Sequence, residues 1–109
     1  MNFNIMINGR IQVGIDFEVL QEAIAGLYDD IDSFIVLEPQ TPIGGSIYLQ
    51  AALDGNQYMI ETRVMTDNNF IHYRYITTDL NEVVTIFTDY YRKHRLTNLD
   101  SWLDATSEF

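Results

Sequence analysis

The chain has 109 residues, no cysteine, and 16 acidic against 6 basic side chains, which gives a formal charge of −10. This length fits one domain, 1–109, and a hydrophobic content of 47% excludes a disordered acidic tail. Disulfides and thiolate metal sites are excluded, and we see neither a secretion signal nor an apolar run long enough to span a membrane. We expect a cytoplasmic protein that binds a basic partner, with no direct nucleic-acid or membrane contact.

The N-terminal residues alternate between apolar and polar on both sides of Asn8-Gly9, which predicts a β-hairpin. A two-residue loop would place Ile5 opposite Gln12, whereas a three-residue loop with a bulge would place Ile5 opposite Ile11. We prefer the bulged loop because it keeps the apolar side chains of both strands on one face.

A first helix is predicted after Asp16, whose side chain can cap the free amides of the first turn. Its apolar stripe has the spacing of three helical turns and consists of Phe17, Leu20, Ala23, Ile24 and Leu27. The cluster of Asp29, Asp30 and Asp32 opposes the helix dipole, so we expect the helix to end near Tyr28.

A continuous apolar run at 34–37 predicts a strand buried on both faces, and residues 46–53, 57–65 and 70–76 predict a three-strand antiparallel meander. A two-residue Asp54-Gly55 loop would pair Leu49 with Ile60, and a four-residue loop at 66–69 would pair Glu61 with Arg74. The outer face would then carry one row of Tyr48, Glu61 and Arg74 and a second row of Ser46, Arg63 and His72.

The last part of the chain predicts two helices. Asp79 and Glu82 form a capping arrangement before a long amphipathic stripe that starts at Leu80, and the segment 92–95 is basic, as suits a helix C-terminus. Thr97 begins a short final helix that carries Leu99, Trp102 and Leu103. The order β β α β β β β α α is the α+β fold class.

Catalytic and metal-binding patterns are weak. The histidines, His72 and His94, are interpreted as a partly exposed strand residue and a residue at the positive end of a helix. The cluster Asp29-Asp30-x-Asp32 lacks the glycine and distal glutamate of a calcium loop, so we interpret it as a solvated turn. We therefore predict no catalytic residue, no metal, no cofactor and no enzyme activity.

The surface offers the candidate binding residues. Acidic side chains fall in the predicted turns, and the outer face of the meander mixes aromatic and charged groups of the kind found at interface centres. That face could also be covered by helices, in which case its residues would be core margin. The candidate partner-binding residues are Asp29, Asp30, Asp32, Asp67, Tyr48, Glu61 and Arg74.

Residues 33–103 resemble small bacterial immunity proteins encoded beside polymorphic toxins of the LXG type. The resemblance rests on four strand patterns and a late tryptophan, at 34–38, 48–51, 58–61, 72–75 and Trp102. It implies a cytoplasmic inhibitor, a monomer or homodimer, that binds a cognate toxin domain and blocks its active site or substrate groove.

We therefore expect a non-enzymatic immunity protein that neutralises a toxin through its acidic loops and the meander face. Three alternatives stay open. A phage or mobile-element inhibitor that mimics DNA against a host nuclease would have the same electrostatics. A small enzyme or ligand-binding domain would bring Glu61, His72 and Arg74 together in a closed pocket, and a self-associating module would use an exposed sheet edge.

Overall fold

A computed structural model describes residues 3–12, 17–29 and 32–109. The predicted helix cap Asp16 and the candidate site residue Asp30 lie outside these ranges. Two 3₁₀ turns, Leu27–Asp29 and Thr106–Glu108, accompany the main elements. The strands and helices are β1 (Phe3–Ile7), β2 (Arg10–Gln12), α1 (Phe17–Gly26), β3 (Phe34–Pro39), β4 (Ser46–Asp54), β5 (Gln57–Met65), β6 (Phe70–Thr77), α2 (Leu80–Lys93) and β7 (Leu103–Asp104).

The strands form one antiparallel sheet in the order β2-β1-β3-β4-β5-β6-β7. Together with α1 and α2, this sheet confirms the α+β class. Three consecutive residues of β3, Ile35 to Leu37, are buried, so the prediction of a strand with buried side chains on both faces is confirmed. The predicted meander is confirmed as β4, β5 and β6.

One hydrophobic core lies between the helices and one face of the sheet. Alternate residues of β1, β3, β4, β5 and β6 point into it, and both helices contribute their apolar stripes. The opposite face of the sheet, called here the open face, has no helix of the described ranges packed on it. The largest fully buried apolar side chains of the core are Tyr90, Phe87, Leu20, Ile24, Leu27, Ile35, Leu37, Leu49, Ile60 and Val83.

The bulged N-terminal hairpin is a wrong prediction, because β1 and β2 are joined by a two-residue loop that pairs Ile5 with Gln12. Asn8 and Gly9 both have positive φ, 55° and 81°, as a type I′ turn requires. Asn8 also ties this turn to β3, since its backbone amide donates to the Phe34 carbonyl and its side-chain oxygen accepts from the Phe34 amide, each at 2.9 Å. The turn sets the register, and Ile11 is left 65% exposed.

The meander has two strand pairs, and the register of one of them is as predicted. The loop at 66–69 pairs Glu61 with Arg74, as expected. The β4–β5 register is wrong by two residues, because the loop consists of Gly55 and Asn56, and Leu49 therefore faces Thr62. Gly55 is the first loop residue and has φ 64°, at the position where a type II′ turn needs glycine.

Helix α2 covers the stripe that begins at Leu80, and Asp79 caps it by accepting from the Asn81 amide at 2.9 Å. The capping arrangement with Glu82 is wrong in detail. The Asp79 amide donates to the Thr77 hydroxyl instead, and Glu82 accepts from the hydroxyls of Tyr75 and Thr77, which lowers the Glu82 pKa.

The predicted helical end of the chain is also wrong. Residues 94–102 form neither helix nor strand, and the chain then pairs with β6 as β7 before the short 3₁₀ turn. Trp102 is buried and stacks on Tyr75 at 5.4 Å between ring centroids, whereas Leu103 is exposed. Pairing with the edge of β6 supplies backbone hydrogen bonds that an isolated short helix would not offer β6.

A group of three hydroxyls lies inside the core. The Ser46 hydroxyl is 2.6 Å from the Thr62 hydroxyl and 2.9 Å from the Tyr90 hydroxyl. The sequence placed Ser46 on the outer face, but the pairing of β4 with β5 is irregular between Ser46 and Tyr48, and this irregularity turns Ser46 inward. Burial raises the Tyr90 pKa to about 12, although the Ser46 hydroxyl opposes the shift.

We predict that Phe87→Ala destabilises the protein by about 3–5 kcal/mol, because it leaves a cavity at a fully buried site. Ile76→Ala is the matched control on the open face, where 44% of the side chain is exposed, and should cost about 1 kcal/mol or less. Urea unfolding measures both, and equal losses would contradict this placement of the core.

We predict that Tyr90 contributes to alkaline unfolding. Its folded pKa is about 12, above the ordinary value of 10.0, so the unfolded chain loses this proton first as the pH rises. The contribution of Tyr90 to stability is therefore complete below about pH 10 and is lost as the pH approaches about 12. Urea unfolding at about pH 9 and about pH 11 should show a smaller loss of stability for Tyr90→Phe than for the unsubstituted protein. The same loss in both proteins would contradict the assignment.

Candidate functional site

The predicted site residues lie at three separate places. Asp29 and Asp32 precede β3 at one end of the sheet, and Asp67 lies in the β5–β6 turn at the opposite end. The nine residues of β5 separate these ends by about 27 Å. Tyr48, Glu61 and Arg74 lie between them on the open face. The structure therefore brings together only the last three of the described candidates.

Two rows of the open face carry the polar residues. Glu61 pairs with Arg74, as predicted, and Gln50 is the β4 residue opposite Glu61. The shifted β4–β5 register places Tyr48 in the next row, opposite Arg63, so the predicted row of three is wrong for Tyr48. The five residues Tyr48, Glu61, Arg63, His72 and Arg74 are called here the polar cluster.

Glu61 is the centre of the polar cluster. Its Oε2 atom lies 2.6 Å from Nε2 of His72 and accepts from Arg74 through Nη2 at 3.1 Å and Nε at 3.3 Å. Nδ1 of His72 lies 3.3 Å from the Tyr48 hydroxyl. Burial of the Tyr48 side chain raises its pKa, and the charge of Arg63 opposes the rise. Glu61 is 7% exposed and His72 is 2% exposed.

The interpretation of His72 as a partly exposed strand residue is wrong, because the last residues of the chain fold over it. We call residues 103–109 the strap. The Ala105 amide donates to the His72 carbonyl at 2.8 Å, and the His72 amide donates to the Thr106 hydroxyl at 3.0 Å. The Phe109 ring lies 4.3 Å from the His72 ring, between centroids. The strap therefore buries a histidine on the open face.

The strap also binds the two arginines of the cluster. Glu108 accepts from Nη1 of Arg74 at 2.7 Å and from Nη2 at 3.2 Å. These bonds are the largest cause of the raised Arg74 pKa, and bonds to Glu61 add to it against the effect of burial. The Arg63 guanidinium lies 4.1 Å from the Phe70 ring centroid and 4.6 Å from the Phe109 ring centroid. Its buried Nε has no hydrogen-bond partner among the described residues.

Sequence reasoning missed the strap residues Glu108 and Phe109. Nothing in the local sequence pattern distinguishes Glu108 from the other carboxylates near it in the chain. The available signal was the unbalanced composition of the outer face, where Arg63 and Arg74 face a single predicted carboxylate. A second acidic group was therefore needed to complete the arrangement.

The cluster combines a carboxylate and an imidazole, two groups that serve in acid–base chemistry, with a guanidinium. The structure brings Glu61, His72 and Arg74 into contact, as the enzyme alternative requires, but the strap fills the space above them. One cavity of about 380 Å³ lies elsewhere, between α2 and residues 97–102. A second, of about 550 Å³, lies beside Phe3 and the end of β3.

The acidic end of the sheet is the second candidate surface. We give this name to Asp29, Asp32, Asp54 and Asp79, which lie where β3 begins and where β4 and β6 end. All four are exposed. Arg10 begins the edge strand β2 at the same end. The acidic end thus concentrates negative charge on one side of the molecule.

Within residues 3–12, 17–29 and 32–109, no three histidine, aspartate or glutamate side chains come together as metal ligands would. None of the helices in these ranges is long and apolar enough to cross a membrane. Comparison with protein-family models, with curated proteins and with solved structures gives no match. The resemblance to immunity proteins therefore stays a prediction.

We predict that Arg74→Met destabilises the protein by about 3 kcal/mol, because it removes a cation from the buried Glu61 carboxylate. Glu108→Gln should cost less than about 1 kcal/mol, since the Glu108 side chain is 51% exposed. The double variant Glu61→Gln with Arg74→Met should recover part of the loss, because an amide does not need the cation. Urea unfolding measures all three, and equal losses for Arg74→Met and Glu108→Gln would contradict the central role of Glu61.

Proposed function

We propose that this chain is a non-enzymatic immunity protein that acts in the bacterial cytoplasm and neutralises a cognate toxin by occupying its basic active site or substrate groove. The acidic end is the surface proposed for this contact. The observation that carries the proposal is the distribution of charge: the acidic end has four exposed aspartates, while at least four of the six cations make contacts within the molecule.

Within the part of the chain that the structure describes, four of the six basic side chains have ion-pair or aromatic-ring contacts. Arg63 is held between two phenyl rings, and Arg74 is held by two carboxylates. The Arg92 guanidinium lies 4.0 Å from the Phe17 ring centroid, and Nζ of Lys93 lies 3.5 Å from Oδ1 of Asp89. The exposed carboxylates of the turns therefore dominate the electrostatic field outside the protein.

A field of this sign favours a cationic partner. Complementary charge speeds the encounter of two proteins and aligns them before contact, and its effect falls as salt screens it. A toxin that acts on nucleic acid needs a basic groove, and a folded anionic protein can fill such a groove without being a substrate. Asp67 lies at the other end of the sheet, so a single compact interface at the acidic end does not include it.

We predict that the double variant Asp29→Asn with Asp54→Asn associates about three- to tenfold more slowly with the toxin domain encoded beside the gene for this chain. Its association rate should also depend less on salt, because two of the charges that steer the encounter are gone. Stopped-flow or surface plasmon resonance measurements at two salt concentrations provide the test, and protection of growing cells against the toxin provides a second readout.

The matched control is Glu38→Gln with Asp67→Asn, which removes the same charge at the opposite end of the sheet. The control should change the association rate by less than about twofold. Equal slowing by both double variants would place the contact away from the acidic end. Failure of the unsubstituted chain to bind the neighbouring toxin, or to protect cells against it, would overturn the proposed function.

A further inference from the structure

The outer edge of β6 is covered in its middle, at residues 72–74. β6 has eight residues, Phe70–Thr77, and β7 pairs with two of them, Tyr73 and Arg74. His72 is also bonded, because its carbonyl accepts from the Ala105 amide and its amide donates to the Thr106 hydroxyl. The edge of a sheet presents backbone donors and acceptors to any extended chain that lies along it. The strap therefore occupies an edge that can accept a strand.

The side chains of the strap show which chemistry fits beside this edge. The Glu108 carboxylate makes two bonds to the Arg74 guanidinium, the geometry in which arginine binds carboxylates best. The next residue, Phe109, places its ring over both His72 and Arg63. The slot thus selects a carboxylate followed directly by an aromatic ring.

The residues of the strap that fill the slot are only partly buried by it. Glu108 and Phe109 are both exposed, Phe109 to 64% of its surface, and β7 has only two residues. Trp102, in contrast, is buried and stacked on Tyr75 immediately before the strap. Ala105 is the buried residue of the strap, so release of residues 103–109 exposes Ala105 and His72 while the Trp102 anchor and the core stay in place.

We infer that the edge of β6 and the polar cluster form a strand-addition site for a partner segment that pairs with β6 and then turns, as the strap does through its 3₁₀ turn Thr106–Glu108, to present a carboxylate followed by an aromatic residue. The strap occupies this site in the free protein. The partner segment pairs its backbone with β6, places its carboxylate on Arg74 and closes its ring over Arg63 and His72. This inference uses a surface separate from the acidic end and goes beyond the proposed function.

The test uses the full chain with Glu108→Ala and Phe109→Ala, which removes the carboxylate and the ring that the strap places on Arg74, His72 and Arg63 and keeps the five residues of the polar cluster. The probe is a synthetic peptide with the sequence of residues 103–109, amidated so that it carries no additional carboxylate, and labelled for fluorescence anisotropy. Two control peptides replace its glutamate by glutamine or its phenylalanine by alanine. Backbone amide NMR signals of residues 70–77 report where the peptide binds.

We expect the double variant to bind the probe at least about tenfold more tightly than the unsubstituted chain, in which the strap competes for the site. Each control peptide should bind at least about fivefold more weakly than the probe, and the amide shifts should concentrate in β6. The inference is overturned if the variant keeps its circular dichroism spectrum but does not bind the probe at about 1 mM. Equal binding of the three peptides, or equal binding by the variant and the unsubstituted chain, would also overturn it.

Discussion

The open face of the sheet depends on how the Glu61 carboxylate is accommodated. A buried carboxylate must be matched by nearby donors or cations, since burial without them costs several kcal/mol (about 3–5 when one partner of a buried pair is lost). Strand β6 supplies both partners, because the turn at 66–69 places Arg74 opposite Glu61 and His72 in the adjacent row. The strap then supplies Glu108 to the remaining donors of Arg74.

The two faces of the sheet are stabilised in different ways. The face beneath the helices excludes water through apolar packing, and its buried hydroxyls satisfy one another at Ser46, Thr62 and Tyr90. The open face has no helix of the described ranges, and a short segment of seven residues covers its polar cluster through charge-assisted bonds and aromatic contacts. Stability of the second face therefore depends on electrostatics and on the docking of the strap.

This arrangement separates the charges of the molecule. Cations on the open face and on α2 are matched by carboxylates or covered by rings, whereas the four aspartates of the acidic end are exposed. One surface thus favours basic partners through its field, and the slot beside β6 favours an acidic and aromatic segment through direct contacts. The two surfaces therefore favour partners of opposite charge, although the chain as a whole has a net charge of −10.

The sequence by itself determined the α+β class, the meander of β4 to β6, the Asp79 cap and the pairing of Glu61 with Arg74, because these follow from residue periodicity and from turns close in the chain. It did not determine the strand register of the N-terminal hairpin or of the β4–β5 pair, because two loop types fit each sequence pattern. In the N-terminal hairpin, the contact of Asn8 with Phe34 favours one of them. The strap was beyond sequence reasoning, because Glu108 and Phe109 reach His72 and Arg74 across more than thirty residues of chain. Only tertiary structure decides contacts of that range, since local propensity carries no information about which distant strand edge a segment will meet.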